Sequence, residues 1–154
     1  SNQAAAWGLT QSSFSNGAAV GDLDNDGDLD LVINNIESTA FLYQNKAEQN
    51  DNNYIKIKLN GNKDNPYGLG AKITLNYNNQ IQYHDFKSTR GYLSSVEPIV
   101  HFGLGEETVI DKIEVQWLDG NVYILEQVAV NQMLAINYIE AIKTTTSKIP
   151  TLAP

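Results

Sequence analysis

Five aspartates occur at every second position of the stretch GDLDNDGDLDLVINN, which covers residues 21–35. They are Asp22, Asp24, Asp26, Asp28 and Asp30. Carboxylates held this close together repel one another, so a solvated acidic loop without an ion would be destabilised by its own charge. The residue types and their spacing therefore predict a site for a hard divalent cation.

Calcium fits this spacing better than magnesium does. If Asp22 is position 1 of the loop, Asp24, Asp26 and Asp30 fall at positions 3, 5 and 9, with Gly27 at position 6. Ca²⁺ binds about six to eight oxygens at about 2.3–2.6 Å, and alternating carboxylates on a curling loop can supply them. Mg²⁺ demands a stricter octahedral geometry and retains its waters. The sequence predicts one structural Ca²⁺.

The backbone of the loop supports the same interpretation. Gly27 permits a reversal with positive φ, which brings the end of the loop back towards the ion. Asp28 at position 7 is expected to bind through its backbone carbonyl and to point its side chain to solvent. The alternative, an EF-hand loop, needs a bidentate glutamate at position 12, where this chain has Ile33. An EF-hand also needs a helix on each side of the loop, whereas the flanking residues here are predicted to form strands.

The composition excludes several other classes of protein. The chain has 154 residues, 42% of them hydrophobic, and a net charge of −8, enough for one domain or one domain with a small appendage. This acidic balance argues against nucleic acid as a partner. The absence of cysteine excludes disulfides, thiolate metal sites and cysteine nucleophiles. No apolar run approaches the roughly 20 residues of a membrane span, and no signal peptide is visible in these residues.

The pattern along the chain favours strands throughout. Residues 17–23 and 29–35 predict a strand on each side of the acidic loop, residues 39–45 predict a third, and the polar residues 46–53 mark a module boundary. Further strands are predicted at residues 54–61, 71–77, 81–86, 99–105 and 131–139, with a hairpin over residues 110–125. In residues 54–61, alternation predicts that Ile55, Ile57 and Leu59 are buried and that Lys56 and Lys58 face water. Such regular spacing is typical of an all-β sandwich or barrel.

Two known families resemble parts of this pattern. The segments FSNGAAVGDLDNDGDLDLVINN and AFLYQN resemble the FG-GAP/VCBS-type repeat of β-propellers, in which D-x-D-x-D-G-x-x-D is the calcium loop of one blade. The remainder resembles the ASPIC/UnbV domain that follows such repeats. The matching pieces are Gly68-Leu69-Gly70-Ala71, Gly91-Tyr92, His101-Phe102-Gly103-Leu104-Gly105 and Trp117-Leu118-Asp119-Gly120. Two positions depart from the pattern, since Leu118 replaces a usual proline and Pro66 stands where an arginine is common.

The resemblance implies an all-β chain in which a partial, propeller-like blade with a calcium loop precedes a β-sandwich. The expected boundaries are residues 1–50 for the blade, 51–143 for the ASPIC/UnbV-like sandwich and 144–154 for a tail or linker. A propeller needs several blades, so the chain is expected to be a C-terminal fragment of a larger exported protein, extracellular or at the cell surface. A lone blade would expose an apolar face, and we expect it to pack on the neighbouring sandwich.

No catalytic constellation is visible. His84 and Asp85 are neighbours on a strand, so their side chains point to opposite faces and cannot form a dyad. His101 is expected to be a packed or hydrogen-bonded strand residue. Arg90 and Tyr92 are the one candidate site for a ligand, where the guanidinium would hold a carboxylate or stack on a sugar with the tyrosine. The interpretation favoured for Arg90 is an ion pair with an acid at the edge of the core.

The sequence therefore predicts a non-enzymatic, calcium-binding adhesion or interaction module whose partner is an extracellular protein or glycan. Two alternatives stay open. One is a carbohydrate-binding module that uses the sandwich face or the Arg90–Tyr92 loop, although Tyr83, Tyr123 and Tyr138 fit strand positions where core or half-buried packing is commoner. The other is an accessory domain of a larger secreted enzyme.

Overall fold

The protein consists of strands joined by tight turns. A computed structural model describes residues 2–143, without the side chains of residues 48, 49, 142 and 143, and the predicted tail at 144–154 lies outside this range. The strands are β1 Phe14–Gly21, β2 Asp30–Ile36, β3 Phe41–Tyr43, β4 Asn53–Asn60, β5 Lys72–Tyr77, β6 Gln80–Asp85, β7 Ile99–Gly105, β8 Val109–Gln116, β9 Asn121–Ala129, β10 Gln132–Asn137 and β11 Ile142–Lys143. Two short 3₁₀ turns, Ala47–Asn50 and Tyr138–Glu140, complete the regular structure of this range, so the predicted all-β class is confirmed.

The first three strands form an antiparallel sheet in the order β1-β2-β3, which we call the N-terminal sheet. Gly21 pairs with Asp30, so the acidic residues between them form the loop that joins β1 to β2, as the sequence predicts. This sheet has no hydrophobic core of its own, because every buried apolar side chain among the described residues lies at Ile55 or later. Phe14 and Leu42 are 81% and 66% exposed.

The other eight strands form a β-sandwich. One sheet has the order β10-β4-β7, with β10 parallel and β7 antiparallel to β4, and the second has the order β11-β9-β8-β5-β6. Both sheets contribute to one core, whose fully buried members include Ile57 of β4, Leu75 of β5 and Ile113 of β8. Burying each such side chain contributes about 1.5–3 kcal/mol. The domain boundaries at residues 50 and 143 stay predictions.

The hairpin turns follow from their residue types. Asn78 and Asn79 join β5 to β6 with φ of +42° and +59°, the two positive values of a turn that suits the twist of a hairpin. Gly120 has φ of +85° between β8 and β9, and its N–H donates to the Trp117 carbonyl at 2.9 Å. Asparagine and glycine tolerate this backbone region better than other residues do.

The alternation of residues along β4 correctly predicts which side chains face the core, but it wrongly predicts that Lys56 on the other face is exposed. Ile55, Ile57 and Leu59 are buried in the core and Lys58 is exposed, as predicted. Lys56 is buried with a relative exposure of 9%, so the prediction that it faces water is wrong. The acidic loop covers this part of the outer face of β4, and the Lys56 ammonium is bonded to Asp22.

Candidate metal centre

Three of the five predicted aspartates converge. One carboxylate oxygen from each of Asp22, Asp24 and Asp26 lies within 4.8 Å of the other two. The loop curls because these carboxylates accept hydrogen bonds from its own backbone. The N–H of Gly27 donates to Asp22 Oδ2 at 3.1 Å, that of Asp26 to Asp24 Oδ1 at 3.3 Å and that of Asp28 to Asp26 Oδ1 at 2.9 Å.

The other two aspartates lie outside this group of three. Asp30 is 2% exposed, and its two oxygens accept the backbone N–H groups of Leu23 at 3.0 Å and Asn45 at 2.9 Å. It therefore closes the loop and ties it to the segment after β3. Asp28 is 8% exposed and lies beside Asn53 and Tyr54, so the expectation that its side chain points to solvent is wrong.

The carboxylate of Asp22 has an oxygen whose hydrogen-bonding capacity is unused. Its side chain is only 7% exposed, and Oδ1 is buried without a hydrogen-bond partner in the described part of the chain. Oδ2 accepts hydrogen bonds from the Lys56 ammonium and the Gly27 N–H. Burial alone would raise the pKa of Asp22, but the hydrogen bond and charge of Lys56, with backbone N–H groups, hold the pKa below its ordinary value. This carboxylate is therefore charged at neutral pH.

Repulsion among the carboxylates is visible at Asp26. The backbone N–H of Asp28 lowers the pKa of Asp26, but desolvation and the negative charges of Asp24, Asp28 and Asp22 outweigh it, and the pKa is raised. A buried oxygen without a donor, beside carboxylates that repel one another, fits a hard cation with oxygen ligands. Asp24 Oδ2 also accepts a hydrogen bond from Gln44 Nε2 at 2.6 Å, which fixes the side chain from outside the loop.

The loop packs on the outer face of the sandwich at Gly27. This glycine has φ of +101°, and a methyl group on its Cα would overlap the ring of Tyr54. The Gly27 carbonyl oxygen lies 2.6 Å from His101 Nε2, which must carry the proton because a carbonyl can only accept. The rings of Tyr54 and His101 are stacked, with centroids 5.5 Å apart, and Lys56 Nζ lies 5.5 Å from the Tyr54 centroid. Glycine is thus required both for the turn and for the close approach.

Sequence reasoning missed Tyr54 and Lys56 as contacts of the loop. Both lie on β4. The alternation of residues along this strand predicts which side chains face the core, but it cannot show that the acidic loop of the N-terminal sheet covers the opposite face. The expectation for His101, a packed and hydrogen-bonded strand residue, is confirmed.

Arg90 does not have the partner that the sequence favours. No carboxylate among the described side chains forms an ion pair with it, so the predicted pairing with an acid is not found there, and its guanidinium Nη2 instead lies 3.5 Å from His84 Nε2. Tyr92 is 66% exposed. Arg90 and Tyr92 both border an open depression beside Gly17 and Ala18 of β1.

The remaining ring and acid residues are largely where the strand pattern predicts. His84 is half-buried and packs edge-on against Phe102 with ring centroids 6.0 Å apart, while Asp85 points away and pairs with Lys87 at 2.7 Å. Burial, followed by the charge of Arg90, lowers the pKa of His84. Tyr123 and Tyr138 pack against the core, as predicted, whereas Tyr83 is 57% exposed because it points to the outer face of β6, opposite to the half-buried Gln82 and His84.

Comparison with known proteins identifies relatives of this chain. It is 34% identical over 128 residues to cartilage acidic protein 1 of Xenopus tropicalis, a match that covers 79% of this chain and 19% of that protein. The human cartilage acidic protein 1 is 34% identical over 108 residues, which cover 68% of this chain and 16% of the relative. The chain therefore spans less than a fifth of the length of these relatives. In the described residues, no helix is long and apolar enough to cross a membrane.

The sequence pattern of a known family, ASPIC and UnbV, matches residues 61–143. The match covers more than half of the chain and includes strands β5 to β11 of the sandwich. It begins after the acidic loop, so the resemblance of residues 1–50 to an FG-GAP/VCBS-type repeat stays a prediction. The chain belongs to the ASPIC and UnbV family.

Proposed function

We propose that the chain is a non-enzymatic calcium-binding interaction module of an exported protein, in which Ca²⁺ holds the N-terminal sheet in its folded form. The observation that carries this proposal is the group formed by Asp22, Asp24 and Asp26, in which Asp22 Oδ1 is buried without a donor. These three carboxylates would hold the ion. Its contribution would be to neutralise their charge and to cross-link the loop.

The charge balance supports a divalent ion in addition to the lysine. The Lys56 ammonium neutralises one of the three converging carboxylates, which leaves two negative charges in excess at the group. Asp28 and Asp30 add further negative charge within the same loop. A divalent cation balances such an excess, whereas repulsion in its absence opposes the curled form.

The setting that we propose is extracellular or at the cell surface. The relatives are named cartilage acidic protein 1, and cartilage is a tissue that consists largely of extracellular matrix. The resemblance of residues 1–50 to propeller repeats supports the same setting. Calcium at about 10⁻³ M would there fill about half to nine-tenths of a site whose dissociation constant lies between about 10⁻³ and 10⁻⁴ M. The partner would be an extracellular protein or glycan.

Calorimetric titration of chelator-stripped protein with CaCl₂, together with melting curves, tests the calcium site. A ligand at 100 times its dissociation constant stabilises a fold by about 2.7 kcal/mol, which corresponds to a rise in melting temperature on the order of 5–10 °C. We expect Asp24→Ala to lose most of this rise, because it removes a carboxylate of the group. Asp64→Ala is the matched control, since it removes the same charge from an exposed residue outside the group.

The result that would contradict the proposal is unambiguous. It is the absence of both a heat of calcium binding and a shift in melting temperature in a chain that is otherwise folded. An equal response of the Asp24→Ala and Asp64→Ala variants would also contradict it, because binding would then depend on overall charge and not on the loop.

A further inference from the structure

A cavity lies where the N-terminal sheet meets the sandwich. It has a volume of about 150 Å³ and is bordered by residues of both parts. Its apolar wall includes Val20 and Leu29 from the N-terminal sheet and its loop, and Val96, Ile99 and Met133 from the sandwich. This volume is below the roughly 300–1,000 Å³ of pockets for drug-sized molecules, so the cavity suits a small ligand. We call it the interface cleft.

The interface cleft is bordered by a cation that has no anionic partner among the described side chains. Arg90, the single arginine of the chain, borders it together with His84, and no acid of the described residues lies within ion-pair distance of the guanidinium. The acids that border the cleft are Asp22, which is bonded to Lys56, and the exposed Glu97. An unpaired guanidinium at a partly enclosed apolar surface favours a planar oxyanion, because it can donate two parallel hydrogen bonds.

The same arginine also borders a second, more open space. The depression beside β1 has a volume of about 420 Å³ and is bordered by Arg90, Gly91 and Tyr92. Tyr92, which is 66% exposed, provides an aromatic side chain at the border of the same depression as Arg90. Arg90 is thus shared by the two spaces, and a ligand whose carboxylate binds the guanidinium could extend either along the apolar wall of the cleft or towards Tyr92 in the depression.

We propose that the interface cleft binds a small carboxylate of about monosaccharide size, with the carboxylate on Arg90 and His84 and the body of the ligand against Val96 and Ile99. This inference goes beyond the calcium proposal: the residues assigned to the ligand belong to the sandwich, and Val20 and Leu29 of the N-terminal sheet and its loop border the cleft from the other part. The net charge of −8 does not forbid it, since charges more than about 8–10 Å away are screened at physiological salt.

The test is an NMR titration of the whole chain with sodium galacturonate, in one sample with calcium and in another with chelator. Succinate and neutral galactose serve as comparison ligands. We expect galacturonate to shift the methyl signals of Val96, Ile99 and Met133 with a dissociation constant on the order of 1 mM, and galactose to leave them unchanged. Shifts in either sample support the proposal, and their loss with chelator alone would show that the loop helps to form the cleft.

Variants separate a specific site from general charge attraction. Arg90→Ala should weaken binding about tenfold, and Arg90→Lys should weaken it less, because lysine keeps the charge but loses the planar donor pair. Both variants should fold, since Arg90 is exposed. Lys63→Ala removes one positive charge from an exposed residue that borders neither cavity, and it should bind as the parent does.

Two arms identify the source of the carboxylate. If galacturonate binds more tightly than succinate and Tyr92→Ala reduces that difference, the ligand is an acidic sugar. If the two bind equally and Tyr92→Ala has no effect, the cleft is a general carboxylate site. The proposal is overturned if no carboxylate shifts the cleft signals even at tens of millimolar, or if Arg90→Ala binds as tightly as Lys63→Ala.

Discussion

Replacing Gly27 by alanine should destabilise the protein in two ways that can be separated. The first is the backbone, because φ of +101° costs a non-glycine residue about 1–2 kcal/mol. The second is packing, because the new methyl group would overlap the Tyr54 ring, and forcing atoms into a packed site typically costs about 1–3 kcal/mol. Together they predict a loss of about 2–5 kcal/mol in the free energy of unfolding.

Gly120→Ala is the matched control for the backbone contribution. Gly120 has φ of +85°, and no atom lies within 4 Å of the position where its Cβ would be. Its loss should be about 1–2 kcal/mol, and the lower chain entropy of the unfolded state offsets both variants by a similar amount. The difference between the two variants, about 1–3 kcal/mol, therefore measures the contact between the loop and Tyr54.

Urea unfolding followed by circular dichroism gives both free energies. Adding Tyr54→Ala should relieve the overlap, so the double variant should lose less than the sum of the single variants. If Gly27→Ala loses no more than Gly120→Ala, or if the double variant is strictly additive, the loop does not pack on β4 as described.

Three further predictions concern the charge pair, the core and acid stability. Lys56→Met should leave the Asp22 charge buried and unpaired, with a loss of about 3 kcal/mol without calcium, and melting curves should show a larger calcium-induced rise than in the parent. Ile113→Ala removes a fully buried side chain and should cost about 2–5 kcal/mol in urea unfolding, whether or not calcium is present. The hydrogen bond from the Tyr138 hydroxyl, with those from Asn121, lowers the pKa of Asp119 below 3.8. The charged Asp119 carboxylate therefore stabilises the folded state fully above that pH, and this stabilisation is lost as the pH falls through the lowered pKa. Asp119→Asn should therefore flatten the dependence of unfolding free energy on pH below about 4, and an unchanged slope would contradict this assignment.

The sequence predicts most of the strands because their periods and turn residues are local properties. The spacing of the aspartates and the position of Gly27 likewise predict the curled loop, since both act through a few neighbouring residues. The burial of Lys56 could not be predicted from such local properties. Its place in an alternating strand says only that it lies outside the core, and its burial depends on a sheet that precedes it in sequence.

Arg90 illustrates the same limit for the candidate ligand site. A lone arginine in an acidic chain has many possible carboxylate partners, and the sequence gives no reason to expect that none of the described carboxylates forms an ion pair with it. Its position beside His84, at the junction of two sheets, follows from the tertiary arrangement of β6, the loop before β7 and the N-terminal sheet. The convergence of Asp22, Asp24 and Asp26 could be expected from their spacing, whereas the position of Arg90 at the interface cleft could not.

The N-terminal sheet has no buried apolar side chains among the described residues. Its attachments to the sandwich include the Asp22–Lys56 ion pair, the hydrogen bond from His101 to the Gly27 carbonyl and the packing of Gly27 against the Tyr54 ring. If the loop binds calcium as proposed, these attachments are stronger with the ion bound than without it, when the carboxylates repel one another. Under a pulling force the N-terminal sheet should detach and unfold before the sandwich does. The chain would then extend by about its first fifty residues while the sandwich stays folded. Single-molecule pulling would reveal this as two rupture events, with the earlier one sensitive to chelator.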